Sequence, residues 1–359
     1  MPKIPKFTKK ELFLIAVGLI LITFAFSKPG RTIYKVIHIT ARLNPSTSSF
    51  SASPDIKSAQ IFYDDDGKQT PAVIFRKGTQ KQSAVIISAG VGLTDYNYKL
   101  IDSFASSLAD VGITVMIPQT QSMKDDIVNE SSIRSYVNAF RYLENQGSVD
   151  KKKIGYFGFC AGASFLALAA EDPDIANRVA FLALFSPYNN FVDYLAQTFS
   201  RQALTKDGTR NWQPHPQTVE LLQKNLMFRT NLLIAGSPNK AEISQKVNDI
   251  FTKQENAASK KSAIENLSSK EMLSEAALLS PDHAAKNIKA KTYIFHDYND
   301  TFTPREESER LKAEIPGAEL IEPTIFDHTI FRKDISRMAW ATQGTKVLIY
   351  FYKILYHVS

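Results

Sequence analysis

The sequence predicts an α/β protein with a mostly parallel central sheet flanked by helices, and three observations predict it. Short apolar strand patterns recur at residues 61–63, 72–76, 83–88, 113–117, 153–159 and 179–185. Helical stretches near 99–109 and 127–144 separate the later ones, the arrangement of parallel strands joined by right-handed crossovers. The chain's one cysteine lies in Gly158-Phe159-Cys160-Ala161-Gly162, between the strand pattern ending at Phe159 and the helix-favouring run from Ala163 to Ala170. No internal repeat is visible.

A G-x-C-x-G turn between a strand and a helix reads as a nucleophile elbow. So tight a turn holds its central residue in a strained conformation, and Gly158 and Gly162 omit side chains that would collide with the facing strand and helix. The position also suits a thiolate, because the unpaired N–H groups of a helix N-terminus stabilise an anion. A lone cysteine is otherwise most often a small buried hydrophobe. The two glycines and the strand-to-helix junction favour the reactive role here.

A thiolate acting on a carbonyl needs a base, a group that orients the base, and donors for the oxyanion. The strand pattern 291–295 runs into a loop carrying His296, Asp297, Asp300 and Pro304, after which residues 305–315 read as a helix. A short strand at 318–321 is followed by a loop with Asp327 and His328. Of His38, His215, His283, His296, His328 and His357, only His328 lies in the loop after the last predicted strand, and it is the candidate base. His296 ends an apolar strand and reads as structural. Asp300 is the candidate orienting acid, although Asp300 or Asp297 would also serve as a helix cap. Asp327 ranks last, since its side chain would have to turn back on its neighbour.

The chain order nucleophile, acid, histidine matches the α/β-hydrolases and differs from the chymotrypsin and subtilisin orders. On the elbow and on His296, Asp300 and Pro304 of a His-x-x-x-Asp-x-x-x-Pro loop, the chain resembles the α/β-hydrolase superfamily from about Gln60 to the C-terminus. It looks most like the dienelactone hydrolase branch, whose elbow carries Cys in place of Ser. The resemblance implies a triad of Cys160, His328 and Asp300. It also implies an oxyanion hole formed by the N–H of Ala161 and that of Val91, with Gly90 close behind, in the loop after the strand 83–88. Ala89 stands where a histidine often precedes the glycine in that family, a departure that leaves backbone donors in place. The implied chemistry is hydrolysis of a small-molecule carboxylic ester, lactone or thioester through a thioester intermediate, with no metal or organic cofactor. An acyltransferase with the same triad, and a non-catalytic binding protein that keeps the fold, are the rival readings.

At 359 residues, with 44% hydrophobic and 22% charged residues, the chain can bury a large core. Its net charge of +7 is concentrated at one end: the first 35 residues hold seven basic residues and one acid. The remainder is nearly neutral, which argues against a nucleic-acid partner. A single cysteine permits no intrachain disulfide and no zinc site of the Cys/His-cluster type.

Lys3, Lys6, Lys9 and Lys10 precede the uncharged run 12–27, whose length of about 24 Å as a helix falls between a membrane span and a signal-peptide core. Residues 1–35 are expected to form an uncleaved signal anchor with the enzyme outside the cytoplasm, the alternative being a cleaved peptide and a secreted protein. Residues 36–59 read as a Ser/Pro-rich linker, and 60–187 with 288–359 as the core. Residues 188–287, without strong strands and with a helical stretch at 254–272, are expected to be a helical cap over the site or else a peripheral insertion. The apolar run 347–356 is expected to pack as a terminal helix.

Overall fold

The structure is a computed structural model that describes residues 23–43, 55–328, 330–332 and 335–359. Helix α1 (Lys28–Leu43) buries Thr32, Val36 and Ile39, a three-to-four-residue spacing that sets one face against the core. The hairpin of β1 (Ile56–Asp65) and β2 (Lys68–Lys77) turns through Asp66 and Gly67 at φ 55° and 86°, the signs a type I′ turn requires. Then come β3 (Gln82–Ser88), α2 (Asp95–Asp110), β4 (Ile113–Pro118), α3 (Gln121–Asp125) and α4 (Ser131–Glu144). These lead to β5 (Val149–Phe159), α5 (Ala161–Glu171) and β6 (Phe181–Phe185).

The segment after β6 holds α6 (Phe191–Ser200), a small hairpin of β7 (Gln202–Thr205) and β8 (Gly208–Asn211), and α7 (Pro216–Gly236). It continues with α8 (Lys240–Thr252), α9 (Ala257–Leu267) and α10 (Lys270–Leu278). The chain then returns to the sheet with β9 (Lys291–Phe295), α11 (Arg305–Glu314) and β10 (Glu319–Ile321). A short pairing of β11 (Phe326–Asp327) with β12 (Ile330–Phe331) precedes the terminal helix α12 (Arg337–His357).

Eight strands form one sheet in the order β1-β2-β4-β3-β5-β6-β9-β10. β2 runs antiparallel to β1 and β4, and the six strands from β4 to β10 are parallel. Every residue of β3 is buried, as expected of a central parallel strand covered on both faces. One apolar core holds residues of α4, α5 and the segment after β6, while the other holds residues of α1, α2 and α12. Because the parallel strands share a direction, the loops after β3, β5, β9 and β10 all open at one edge.

Several boundaries differ from the sequence reading. Residues 36–43 belong to α1, and β1 begins at Ile56, so the expected linker is narrower on both sides. The period of Thr32, Val36 and Ile39 is interrupted in the sequence by Lys35 and His38, which masks its apolar face. Asp66-Gly67 is a strong hairpin signal that would have lengthened both flanking strands. The helical stretch 254–272 is two helices, because Ser269 caps α10 by accepting a hydrogen bond from Met272 N. The expected anchor falls largely on residues 1–22, outside the described residues. Among the described residues, no helix is long and apolar enough to cross a membrane.

Candidate active site

Cys160 follows β5 directly and precedes the first residue of α5, with φ 51° and ψ −131°. Few non-glycine residues adopt such a backbone, and the surrounding contacts hold it there. Cys160 N donates to Phe185 O at 2.8 Å, and Ala163 N donates to Cys160 O at 2.9 Å. A Cβ on Gly158 would lie 2.5 Å from Ala163 Cα, and one on Gly162 would lie 2.6 Å from Gly90 N, so neither position admits a side chain. The thiol is free and partly exposed.

The structure brings the other named residues to this turn. His328, itself at φ 55°, sets its Nδ1 2.8 Å from Asp300 Oδ2, and both side chains are buried. The Cys160 side chain is hydrogen-bonded to the same ring. With Nδ1 turned to the carboxylate, Nε2 is left to face sulfur. Burial alone would strip His328 of its charge, but the Asp300 carboxylate, Cys160 and the hydrogen bonds to both hold its proton well above the ordinary histidine range.

Asp300 makes two sets of contacts and caps no helix, since α11 has no side-chain cap. Its Oδ1 accepts from Phe302 N at 2.7 Å and Thr303 N at 3.0 Å, fixing the loop, while Oδ2 faces His328. Burial raises its pKa, but the His328 charge and hydrogen bond outweigh burial and lower it to about 2. Asp297 is used differently. It accepts from Asn299 N at 2.8 Å and from Phe326 N at 2.9 Å, tying the acid loop to the histidine loop, and burial pushes its carboxyl up to about 6. His296 is held between Ser308 Oγ (2.6 Å) and Thr303 O (3.0 Å), and burial pushes its pKa below the ordinary histidine value.

The loop after β3 comes over the elbow. Gly90, at φ 88°, packs so closely that a Cβ there would sit 2.9 Å from Phe159 O and 3.7 Å from Cys160 Cβ. Val91 follows it and is buried, and Ala161 opens α5, where its N–H has no partner within the helix. Gly90 thus packs against the elbow, with Val91 next to it in the chain and Ala161 directly after the cysteine.

The sequence reading missed a set of residues from the segment after β6. Trp212 Nε1 donates to Asp300 O at 2.9 Å, His215 N to Thr301 O at 2.7 Å, and the Tyr194 hydroxyl to Phe302 O at 2.6 Å. Three consecutive carbonyls of the acid loop are therefore held from this segment. Phe302 stacks on His328 with ring centroids 4.7 Å apart, and His215 stacks on Phe302 at 4.3 Å. Arg210 adds a two-pronged ion pair to Glu306 at 2.5 and 3.0 Å. Trp212, one of two tryptophans in the chain, offered a signal, since a buried indole N–H seeks an acceptor.

Replacing Trp212 by Phe leaves the Asp300 carbonyl without that donor, a loss worth about 1–3 kcal/mol when the group stays buried. We expect a lower melting temperature and, because small displacements of reacting groups are amplified in rate, a fall in kcat on the order of tenfold with KM nearly unchanged. Steady-state kinetics beside thermal unfolding checks this, and a kcat equal to wild type would show that the acid loop holds itself.

No family model matches the chain, and no curated protein matches it. Solved structures do. The chain is similar to 2,6-dihydroxy-pseudo-oxynicotine hydrolase with a TM-score of 0.52 and 14% identity, over 85% of this chain and 68% of that one. It is similar to DcsB, solved with its substrate analogue, with a TM-score of 0.53 and 13% identity, over 85% of this chain and 100% of that one. It is also similar to the α/β hydrolase GrgF from Penicillium sp. sh18, with a TM-score of 0.50 and 14% identity over 83% and 98%. At such identities the likeness is one of fold, and the fold is that of the α/β-hydrolases.

Proposed function

We propose that this protein is an acyl hydrolase of the dienelactone hydrolase-like type, acting on a carboxylic ester, lactone or thioester through Cys160, His328 and Asp300. One observation carries the reading: a single imidazole ring bonded to a buried carboxylate at 2.8 Å on one side and to an elbow thiol on the other. In this reading Cys160 is the nucleophile and His328 its proton partner.

The thiolate attacks the carbonyl carbon, and the N–H groups of Ala161 and Val91 receive the oxyanion. His328 gives its Nε2 proton to the leaving oxygen or sulfur as the carbonyl re-forms, leaving an acyl thioester on Cys160. The now neutral ring takes a proton from water, whose oxygen attacks the thioester, and collapse expels the thiolate with the acid. An ester or thioester suits this nucleophile better than an amide, because thiolate leaves the tetrahedral intermediate more readily than an unprotonated amine. In this reading residues 1–35 anchor the enzyme to a membrane with the catalytic domain outside the cytoplasm.

The test is turnover of p-nitrophenyl esters with and without an acceptor alcohol. A hydrolase releases free acid in proportion to p-nitrophenol in both conditions. Transfer of most acyl groups to the alcohol would instead favour an acyltransferase, and absence of turnover a binding protein that keeps the fold.

A further inference from the structure

We infer that the outward face of α1 lies on an anionic lipid bilayer, so that the domain sits with its Cys160 edge pointing away from the membrane. This deepens the anchored reading of the N-terminus and is independent of the thiolate chemistry. A surface helix ordinarily turns apolar residues inward and polar ones outward. On α1 the inward positions Thr32, Val36 and Ile39 are buried as expected, yet the outward positions are Ile33 (40% exposed), Tyr34 (64%) and Ile37 (60%), with Ala41 beyond them. None of these four carries a charge. Phe24 and Phe26, just before the helix, are 49% and 75% exposed.

The sequence names the occupant. The uncharged run 12–27 leads straight into α1, through a corner at Ser27 whose N and Oγ both bond Phe24 O, at 3.0 and 2.6 Å. A segment that enters lipid at this corner brings the outward face of α1 to the headgroup level. Arg31, exposed and three residues before Tyr34, flanks that face, as a basic residue does beside an apolar face at an anionic surface. Arg31 bonds Phe26 O at 2.5 Å, and Lys28 lies over the ring of Tyr356, itself 39% exposed.

The packing of α1 then fixes the orientation. His38 and Arg42 both reach Asp110, at the end of α2 just before β4 begins, at 2.7 and 2.8 Å. Lys35 bonds Val358 O, which also accepts from Ser83 at the start of β3. These are the amino ends of the parallel strands, whereas Cys160, Asp300 and His328 follow the carboxyl ends of β5, β9 and β10. A seven-residue strand is roughly 23 Å long, so the reacting groups and the sheet end that α1 contacts are about a strand length apart. The substrate this arrangement suits is a water-borne acyl compound and not a lipid within the bilayer.

The single cysteine makes the test direct. In the full-length chain carrying Cys160→Ala, Ile37→Cys and, separately, Glu220→Cys are labelled with an environment-sensitive fluorophore. The protein is bound to vesicles of phosphatidylcholine with a quarter phosphatidylglycerol, and quenching by nitroxide lipids is measured. We expect a several-fold rise in emission and strong quenching at position 37, with neither at position 220 on the opposite edge. A label at 37 that stays in water on vesicle-bound protein overturns the inference and leaves the anchor standing. A label at 37 already shielded without lipid assigns the face to a second copy of this chain and overturns it equally. Full-length protein that does not bind the vesicles overturns both the anchor and the face and bears in no way on the hydrolase reading, which wild-type ester turnover tests separately.

Discussion

Cys160→Ala is expected to abolish ester turnover while the protein remains folded, with a loss in kcat on the order of 10^4-fold or more, the scale seen when a nucleophile is removed from a triad acting as a unit. The fold should survive because alanine removes one partly exposed sulfur and leaves the backbone bonds of Cys160 to Phe185 and Ala163 intact. The strained φ of 51° is retained. His328 loses a partner that holds its proton, so its pKa should fall in the variant. Kinetics together with histidine titration by NMR separates the outcomes. Unchanged turnover with a shifted His328 would place the reaction on another group. Cys160→Ser is expected to retain a small activity, since a hydroxyl depends more on its base than a thiolate does.

Asp300→Asn is expected to lower kcat by a factor on the order of 10^2 or more and to do so more than Asp297→Asn, because only Asp300 reaches His328. An amide in its place either presents N–H to Nδ1 or loses its bonds to Phe302 and Thr303. Asp297→Asn disturbs the bond to Phe326 N and with it the seat of the histidine loop, a smaller and indirect effect. The reverse ranking would move the orienting role to Asp297.

The same substitution has a pH signature. With Asp300 lowered to about 2, its contribution to stability is complete above the ordinary aspartate value near 4 and is lost as pH falls through about 2. With His328 raised, its contribution is complete below the ordinary histidine value near 6.5 and declines as pH rises toward its folded value. The stability gap between wild type and Asp300→Asn should therefore be widest between about pH 4 and 6.5 and should narrow on both sides. Chemical unfolding across pH measures it, and a gap that does not vary would mean that the two groups are not an ion pair.

The sequence by itself determined the class of fold and named the three residues proposed here to react. Both are written in local pattern: alternating strand and helix periods set a parallel sheet, and two glycines around a residue at a strand-to-helix junction set an elbow. Residues at the carboxyl ends of parallel strands meet because the strands share one direction, so Cys160, Asp300 and His328 were legible as partners from chain order alone. Tertiary structure decided what has no local pattern. That Asp300 both holds its loop and bonds His328 depends on which of its oxygens faces which neighbour. That Tyr194, Trp212 and His215 hold the carbonyls of residues 300–302 depends on contacts across about 90 residues of chain, between a segment with no strand period and a loop with no period at all. The apolar outer face of α1 is likewise visible only once the inner face is known, because Thr32, Val36 and Ile39 had to be buried before Ile33, Tyr34 and Ile37 stood out as uncovered. Periodicity reports how a segment meets a surface, while long-range hydrogen bonds and the side a helix presents are settled by the packing of distant parts.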